Sequence, residues 1–242
     1  QGLQAYSNGL LAICDAQFTD GWMDGAMVCS KQRTGEKLLE VQFVKGTLSG
    51  PLTFFGSAST ASITFQNGLP QGQLTVKSLK TDKPVHTYQF QNGVLNGREE
   101  ILNEENGAVT SYATYIDGVV EGEIVKFTPD GKHLIYQATM VKNQQHGPEK
   151  YFYPSGKLHR AGNWENGMAA GLFQEYDEQG KVIKEEIWHN GVQSDPVNQD
   201  PEGCVKQKVD AYHQENGEDR PIMHDQMMEW QEECGLPATG YN

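Results

Sequence analysis

Three kinds of side chain in this chain could carry out chemistry: histidines, neighbouring acids and cysteines. His133, His146 and His159 recur 13 residues apart, a spacing at which a row of metal ligands is conceivable. No cysteine or carboxylate stands at ligand spacing beside them. We therefore interpret these histidines as solvent-facing strand or turn residues and expect no metal.

The paired acids do not form a catalytic pair. Glu99–Glu100 and Glu185–Glu186 are adjacent in sequence, and adjacent side chains of a strand point to opposite faces of the sheet. A phosphate-binding loop, a dinucleotide fingerprint, a Gly-x-Ser-x-Gly elbow and a His-Glu-x-x-His helix are all absent from the sequence. We therefore expect neither an enzyme nor a cofactor.

The four cysteines fall as two local pairs, Cys14 with Cys29 and Cys204 with Cys234. An even number in local pairs predicts two disulfides and a periplasmic or otherwise extracytoplasmic location. The sequence starts at Gln1 without an apolar leader, so we expect a mature form from which a signal peptide has been removed. No run of about 18 apolar residues is present, so we expect no membrane insertion.

The formal net charge of −13 narrows the class of partner. Nucleic acid and an anionic membrane surface are unfavourable on electrostatic grounds, whereas a protein with a basic surface fits. The residues from Pro196 onward contain 10 acids and only 3 Lys and Arg, so the excess of acids is densest in the tail.

An internal repeat explains most of the 27 glycines. The frame aromatic-x-x-Gly-x-x-x-Gly reads at Phe90, Tyr115 and Trp164, and it recurs in intact or degraded form with a period of 22 to 25 residues. The eight leading residues are Phe18, Phe43, Phe65, Phe90, Tyr115, Met140, Trp164 and Trp188. In the copy that starts at Met140, Asn143 replaces the first Gly. In the copy that starts at Trp188, Asp195 replaces the second Gly.

A second turn lies in most periods, as at Pro129-Asp-Gly131 and Pro154-Ser-Gly156. Two turns per period leave two β-like segments of about seven to nine residues. We predict an elongated, mainly β protein: one sheet of antiparallel hairpins, about sixteen strands and roughly 75 Å long. Each leading aromatic side chain packs over the neighbouring repeat and forms a thin core, which leaves a wet face for binding.

The repeat ends near Asp195, so we predict a repeat domain over residues 1–195 and a helical hairpin over 196–242. One amphipathic helix spans about Glu202 to Asn216, and a second starts near Pro221. A Cys204–Cys234 bridge would join the open end of the hairpin and contribute roughly 3 to 4 kcal/mol. We expect this pair to cap the last strand.

The frame, followed by an aromatic strand and a turn such as Tyr153-Pro-Ser-Gly156, resembles the MORN-repeat variant of YwqK-type bacterial antitoxins over roughly residues 6 to 195. The resemblance implies a fold more specifically than a function, because such repeats serve lipid contact, scaffolding and toxin neutralisation. The two-helix tail is not part of that repeat. At Asn143 and across Gly56 to Thr60 the chain departs from the pattern, and we expect the sheet to bend or bulge there.

The resemblance and the acidic charge together predict a periplasmic immunity protein of a secretion system such as type VI. It would occlude a cognate toxin with a basic surface, for example a lipase or phospholipase effector. The alternative is an envelope-associated scaffold or a lipid-docking repeat protein. A hydrolase or metal enzyme is a third, less favoured class.

Interface energy concentrates where aromatic and charged side chains cluster. The predicted partner-binding residues are acids beside aromatic residues at turns or strands: Tyr115, Asp117, Glu121, Trp164, Glu165, Glu175 and Tyr176. The alternative interpretation is that these are ordinary solvated turn and edge residues.

Overall fold

The computed structural model describes residues 2–7, 10–194, 201–217 and 220–236. Within these ranges the chain forms eighteen strand segments followed by two helices. The first nine segments are β1 (Gly2–Ser7), β2 (Leu10–Thr19), β3 (Trp22–Lys31), β4 (Lys37–Val44), β5 (Thr47–Phe55), β6 (Ser59–Gln66), β7 (Leu69–Ser78), β8 (Pro84–Gln91) and β9 (Val94–Leu102). The others are β10 (Val109–Ile116), β11 (Val119–Phe127), β12 (Leu134–Val141), β13 (Gln144–Phe152), β14 (Leu158–Glu165), β15 (Met168–Ala169), β16 (Gly171–Tyr176), β17 (Val182–His189) and β18 (Val192–Ser194). The helices are α1 (Pro201–Asn216) and α2 (His224–Glu233).

Each strand pairs antiparallel with the next one along the chain, which makes a single open sheet. Segments β15 and β16 both pair with β14 and act as one interrupted strand, so the sheet has 17 strands. Seventeen strands at a spacing of about 4.8 Å give a length of about 77 Å. The predicted mainly β, single-sheet fold is confirmed, with one strand more than predicted because β1 precedes the first frame.

The tight turns of the repeat are two-residue hairpin loops in which both residues have positive φ. The first residue has φ between 46° and 51° and the second between 65° and 89°. These are the torsions of a type I′ turn, which favours Asn-Gly and Asp-Gly. The eight loops are Asp20–Gly21, Lys45–Gly46, Asn67–Gly68, Asn92–Gly93, Asp117–Gly118, Lys142–Asn143, Asn166–Gly167 and Asn190–Gly191. The loop at Asn143 is therefore a turn of the same kind, because Asn tolerates the left-handed region. Its hairpin shifts register between Ala138 and Met140, as other hairpins of the repeat do, so the bulge is not specific to this copy.

The second glycine of each frame sits where the register of its hairpin shifts. Gly97 has φ of 124°, and a Cβ there would lie 2.8 Å from the Cβ of Gln89 on the facing strand. Across its other edge Gly97 faces Tyr115, the leading residue of the next frame. The same pairing places Gly147 beside Trp164 and Gly171 beside Trp188. Glycine therefore leaves room beside each leading side chain.

The second turns of the repeat are wider loops at the opposite edge of the sheet. Most of the hairpins that these loops close also have a register shift. The loop between β5 and β6 is shorter: Gly56 N–H donates to the carbonyl of Ser59, and the pairing continues to Phe55↔Thr60 without a shift. A shorter loop explains the shorter period there. The bulge expected across Gly56 to Thr60 is therefore wrong.

Both predicted disulfides are present. Cys14 and Cys29 face each other across β2 and β3, and Cys204 in α1 is bonded to Cys234 after α2. Tyr212 and Trp230 pack edge-to-face between the helices. Helix α2 starts at His224, later than the predicted Pro221, because Met223 is still extended (φ −71°, ψ 146°) and takes the N-cap position. That the helices cap the last strand stays a prediction, and Asp195 lies outside the described residues.

Candidate binding surface

Alternation along the strands divides the sheet into two faces, and we call the one that carries the leading residues of the frames face 1. The position two residues after the second glycine lies on face 1 in the seven repeats for which the structure describes it. It reads Met27, Leu52, Leu74, Glu99, Ile124, Glu149 and Phe173 along the sheet. Face 1 is therefore apolar in its first half and holds carboxylates in its second.

We call this second half of face 1 the aromatic–acidic surface. It spans β8 to β17 and consists of His86, Tyr88, Glu99, Tyr115, Tyr136, Glu149, Tyr151, Arg160, Trp164, Phe173, Glu175, Lys184, Glu186 and Trp188.

Glu149 on β13 is the most enclosed charged group of this surface, with 5% of its area exposed. Its Oε1 accepts hydrogen bonds from Tyr136 Oη (3.2 Å), Gln145 Nε2 (3.0 Å) and Tyr151 Oη (3.3 Å), and its Oε2 accepts one from Trp164 Nε1 (3.0 Å). A buried carboxylate is costly unless such donors surround it. The acid therefore fixes three rings from three strands in one arrangement.

Glu99, two repeats earlier, repeats this arrangement in a more open form. His86 Nε2 lies 2.8 Å from its Oε1, and Tyr115 Oη donates to its Oε2 at 2.9 Å. Tyr88 stacks on His86 with ring centroids 4.2 Å apart. Burial raises the pKa of Tyr115, and the bond to the Glu99 carboxylate raises it further.

Beyond Glu149 the surface becomes an aromatic cluster. Phe173 is 2% exposed and packs edge-to-face with Trp164 on one side and Trp188 on the other, at centroid distances of 6.0 and 6.1 Å. The Phe173 ring lies over Gly162, where a Cβ would come within 2.1 Å of it. The guanidinium of Arg160 lies 5.3 Å from the same ring.

Two adjoining concavities open on this cluster and share Arg160, Phe173 and Trp188. The apolar one has a volume of about 560 Å³ and is also lined by Trp164 and Ala169. The polar one, of about 380 Å³, is lined by Glu175, Lys184, Glu186 and Gln193.

Glu186 balances the charges of the polar concavity. It bonds Lys184 Nζ at 2.6 Å and Arg160 at 3.4 Å, and the Lys184 ammonium is the main cause of the lowered pKa of this carboxyl. The indole N–H of Trp188 lies near Glu186 without reaching hydrogen-bond geometry. It is buried and has no partner among the described residues.

The acids and phenols of this surface are hydrogen-bond partners of one another. Glu99 and Glu149 lie four strands apart, about 19 Å, whereas paired catalytic carboxylates are separated by about 5 to 10 Å. Burial and the Glu149 charge raise the pKa of Tyr136 and Tyr151, which keeps both phenols protonated at neutral pH. Within the described ranges no three His, Cys, Asp or Glu side chains are grouped to hold a metal.

Three of the predicted partner-binding residues belong to the aromatic–acidic surface. Tyr115 bonds Glu99 and Trp164 bonds Glu149, so both rings are held by acids that the sequence analysis did not select. Glu175 is one-third exposed and lies 3.3 Å from His159.

The other four predicted residues lie elsewhere. Asp117 accepts a bond from Asn96, and Glu121 accepts the backbone N–H of Lys142, so both link one tight turn to the next. Glu165 is exposed at the end of β14, and Tyr176 donates to Gln174, whose side chain lies on face 2, the other face. The prediction therefore mixed two surfaces. Whether any of these residues binds a partner stays a prediction.

Glu149, Arg160 and Phe173 are the central residues that the sequence analysis missed. The signal was present: alignment of the frames on their second glycine puts Glu99, Glu149 and Phe173 at the same repeat position. An acid at a repeat position that holds Met or Leu in earlier repeats indicates where face 1 changes from apolar to acidic.

Comparison with known proteins identifies the repeat. The family model described as "MORN repeat variant" matches residues 145–166, which run from β13 through β14 to the following tight turn. No curated protein sequence matches the chain at a significant level. No described helix is long and apolar enough to cross a membrane.

One solved structure is similar in part. It is described as the crystal structure of a mutant of S. aureus TarM in complex with Fondaparinux, alpha-GlcNAc-glycerol and UDP. The two chains are 7% identical over 60% of this chain and 21% of that one, with a TM-score of 0.24. A likeness at this level supports no statement about fold or function.

Replacing Glu149 tests whether it organises the surface. Glu149→Gln should lower the free energy of unfolding by about 1 to 3 kcal/mol, because an amide cannot accept all four bonds and leaves buried donors unpaired. Urea denaturation measures the change. Glu165→Gln, at an exposed site on the next strand, should change stability by less than about 0.5 kcal/mol. Equal effects of the two variants would contradict the assignment.

The raised pKa of Tyr136 predicts a stability change at high pH. Its folded pKa lies above the unfolded value of about 10, so its contribution is complete below that pH and is lost as pH rises through the folded pKa. In Tyr136→Phe the loss of stability above pH 10 should therefore be shallower, and one late-titrating phenol should vanish from the ultraviolet absorbance titration. Gln137→Ala, its strand neighbour, should titrate like the parent. If the titration of Tyr136→Phe were the same as that of the parent, the prediction would be contradicted.

Proposed function

We propose that this chain is a periplasmic immunity protein that neutralises a cognate secreted toxin by occluding it, and that it acts by binding and not by catalysis. A MORN repeat variant suggests a binding or scaffold role. The two disulfides fit an extracytoplasmic location. The antitoxin role, and a lipase or phospholipase as the toxin, rest on the YwqK-type resemblance.

The observation that carries the proposal is the rigid aromatic–acidic surface. Tyr, Trp and Arg are the side chains on which interface energy concentrates, and here carboxylates hold their polar ends in place before any partner arrives. A fixed arrangement reduces the entropy cost of association. The MORN-variant match covers part of this surface.

Net charge supports a basic partner. At −13 the chain would attract a basic toxin surface over a distance of about 8 to 10 Å at physiological salt. Association should then slow as salt increases, whereas dissociation should change less.

Co-expression with the product of the adjacent gene tests this function. We expect the chain to restore growth of cells that make that product in the periplasm and to form a stoichiometric complex with it. Glu175→Lys, on the aromatic–acidic surface, should weaken binding at least tenfold, because a cation would then face a basic partner. Surface plasmon resonance measures the affinity.

Glu40→Lys is the matched control. Glu40 is likewise a strand acid with one basic partner, Lys37 at 2.9 Å, but it lies on face 2 in the first half of the sheet. Its substitution should leave affinity within twofold. No complex and no growth rescue would refute the immunity function, whereas equal losses in both variants would place the interface elsewhere.

A second candidate, an envelope-associated scaffold that docks on lipid, is favoured by one observation. Each tight turn carries an exposed large apolar side chain beside it on face 2, which makes an apolar stripe along one long edge of the sheet. The stripe is Trp22, Val44, Leu69, Val94, Ile116, Val141, Met168 and Val192, each between 37% and 69% exposed.

Vesicle pelleting separates the two functions. A scaffold of this kind should sediment with zwitterionic phosphatidylcholine vesicles, and Trp22→Ser with Ile116→Ser should abolish that, since both remove stripe area without touching face 1. An immunity protein should stay in the supernatant with and without these substitutions.

A further inference from the structure

The apolar concavity beside Phe173 lies between described strands on face 1. Its lining residues belong to β14, β15, β16, β17 and the tight turns that follow β14 and β17. Its volume is about 560 Å³. Because β14 and β17 bound it on either side, the concavity is a feature of the interior of the sheet and not of its open edge.

A small side chain at one repeat position opens this space. The residue two positions before the second glycine faces the leading residue of its own frame. In the frame of Trp164 it is Ala169, which is 6% exposed and forms the floor of the concavity. The same position in the other seven frames holds a larger side chain: Met23, Leu48, Pro70, Leu95, Val120, Gln145 and Gln193. Ala169 therefore lacks the atoms that occupy the equivalent space elsewhere in the sheet.

The large ring opposite Ala169 does not fill the space. The indole N–H of Trp164 donates to Glu149 on β13, which lies on the other side of β14 from Ala169. Phe173 and Trp188 form further walls, and each of their rings is packed edge-to-face against its neighbour. Three fixed aromatic rings and one methyl group therefore surround an open space suited to an apolar side chain.

Arg160 is the one charged residue among the described residues that line this concavity. A guanidinium has five N–H donors, and among the described residues one of them is used, in a long bond of 3.4 Å to Glu186. Glu186 is bonded more closely to Lys184, at 2.6 Å, and its side chain is only 11% exposed, whereas that of Arg160 is 40% exposed. The concavity therefore presents a positive charge to solvent, in a chain whose net charge is −13.

We propose that this concavity binds an apolar side chain of the protein partner, of about the size of Leu, that stands next to a carboxylate. Leu is the size expected because Leu48 and Leu95 fill the equivalent space in earlier repeats. The apolar group would lie over Ala169 between the rings, and the carboxylate would pair with Arg160. This deepens the proposed function and rests on it for the identity of the partner.

N-acetyl-leucine is the probe, because it is a small compound that carries both a Leu side chain and a carboxylate. In an NMR titration we expect saturable shifts of the indole N–H signals of Trp164 and Trp188, with a dissociation constant of about a few millimolar. The indole signals of Trp22 and Trp230, which do not line the concavity, should stay in place. N-acetyl-leucinamide lacks the negative charge and N-acetylglycine lacks the apolar group, so each should bind at least fivefold more weakly.

Arg160→Gln tests the charge. The variant should bind N-acetyl-leucine and N-acetyl-leucinamide with equal affinity, because the preference for the acid comes from the guanidinium. Arg98→Gln is the matched control: the Arg98 guanidinium also lies over a ring, that of Tyr112 at 4.0 Å, but on face 2. This control should keep the full preference for the acid.

Ala169→Leu tests the space. It should weaken binding of N-acetyl-leucine at least tenfold, because its own side chain would occupy the concavity, and urea denaturation should show that the variant is at least as stable as the parent. Val120→Leu, at the same repeat position two frames earlier, should bind the probe like the parent. Absence of a saturable shift at tens of millimolar probe, equal affinity of the parent for the acid and its amide, or unchanged binding in Ala169→Leu would overturn the proposal.

Affinity for the protein partner separates this proposal from the immunity function. Ala169→Leu should weaken the complex at least tenfold, and an excess of N-acetyl-leucine should compete with the partner. A partner that binds Ala169→Leu as tightly as the parent would overturn the concavity as its binding site and leave the immunity function in place. The absence of any protein partner would refute the immunity function and, with it, the assignment of the concavity to a partner's side chain.

Discussion

A backbone constraint, two consecutive residues with positive φ, sets the organisation of this protein. A type I′ turn reverses the chain within two residues and twists in the same sense as the strands it joins, so each turn commits about eight residues on either side to pair. Asn-Gly and Asp-Gly meet the requirement at least cost, and Asn143 shows that Gly is not obligatory. Repetition of this one device gives a sheet in which each described strand pairs its backbone with its sequence neighbours.

A one-layer sheet of this kind has no second layer to shield its core, and the first and second halves meet that problem differently. In the first half Val41 and Ile63 are nearly buried among apolar neighbours on face 1. In the second half Glu149 occupies the repeat position that Leu52 and Leu74 hold in the first half, and it is stabilised because four donors converge on it. Such a network contributes less to stability than an apolar core, but it fixes the orientation of its rings.

The different packing of the two halves of the sheet is related to the proposed function. The first half supplies stability, with the Cys14–Cys29 disulfide joining β2 and β3. The second half supplies oriented Tyr, Trp and Arg side chains, of which the Trp and Arg side chains line the two concavities beside Phe173.

The sequence by itself determined the period, the hairpins and both disulfides, because turns at Asn-Gly and paired cysteines are local features. It also located Tyr115 and Trp164. It did not determine that Glu149 is buried or that Arg160 lies over Phe173, because these contacts join strands whose residue pairing depends on the register shift at each second glycine. The shift is two residues, so it keeps each side chain on its face but changes which residues lie opposite one another: Glu149 faces Ala138 after Met140 has faced Gln145. Only the tertiary structure therefore decided which acids hold the aromatic rings and which, like Glu165, remain in solvent.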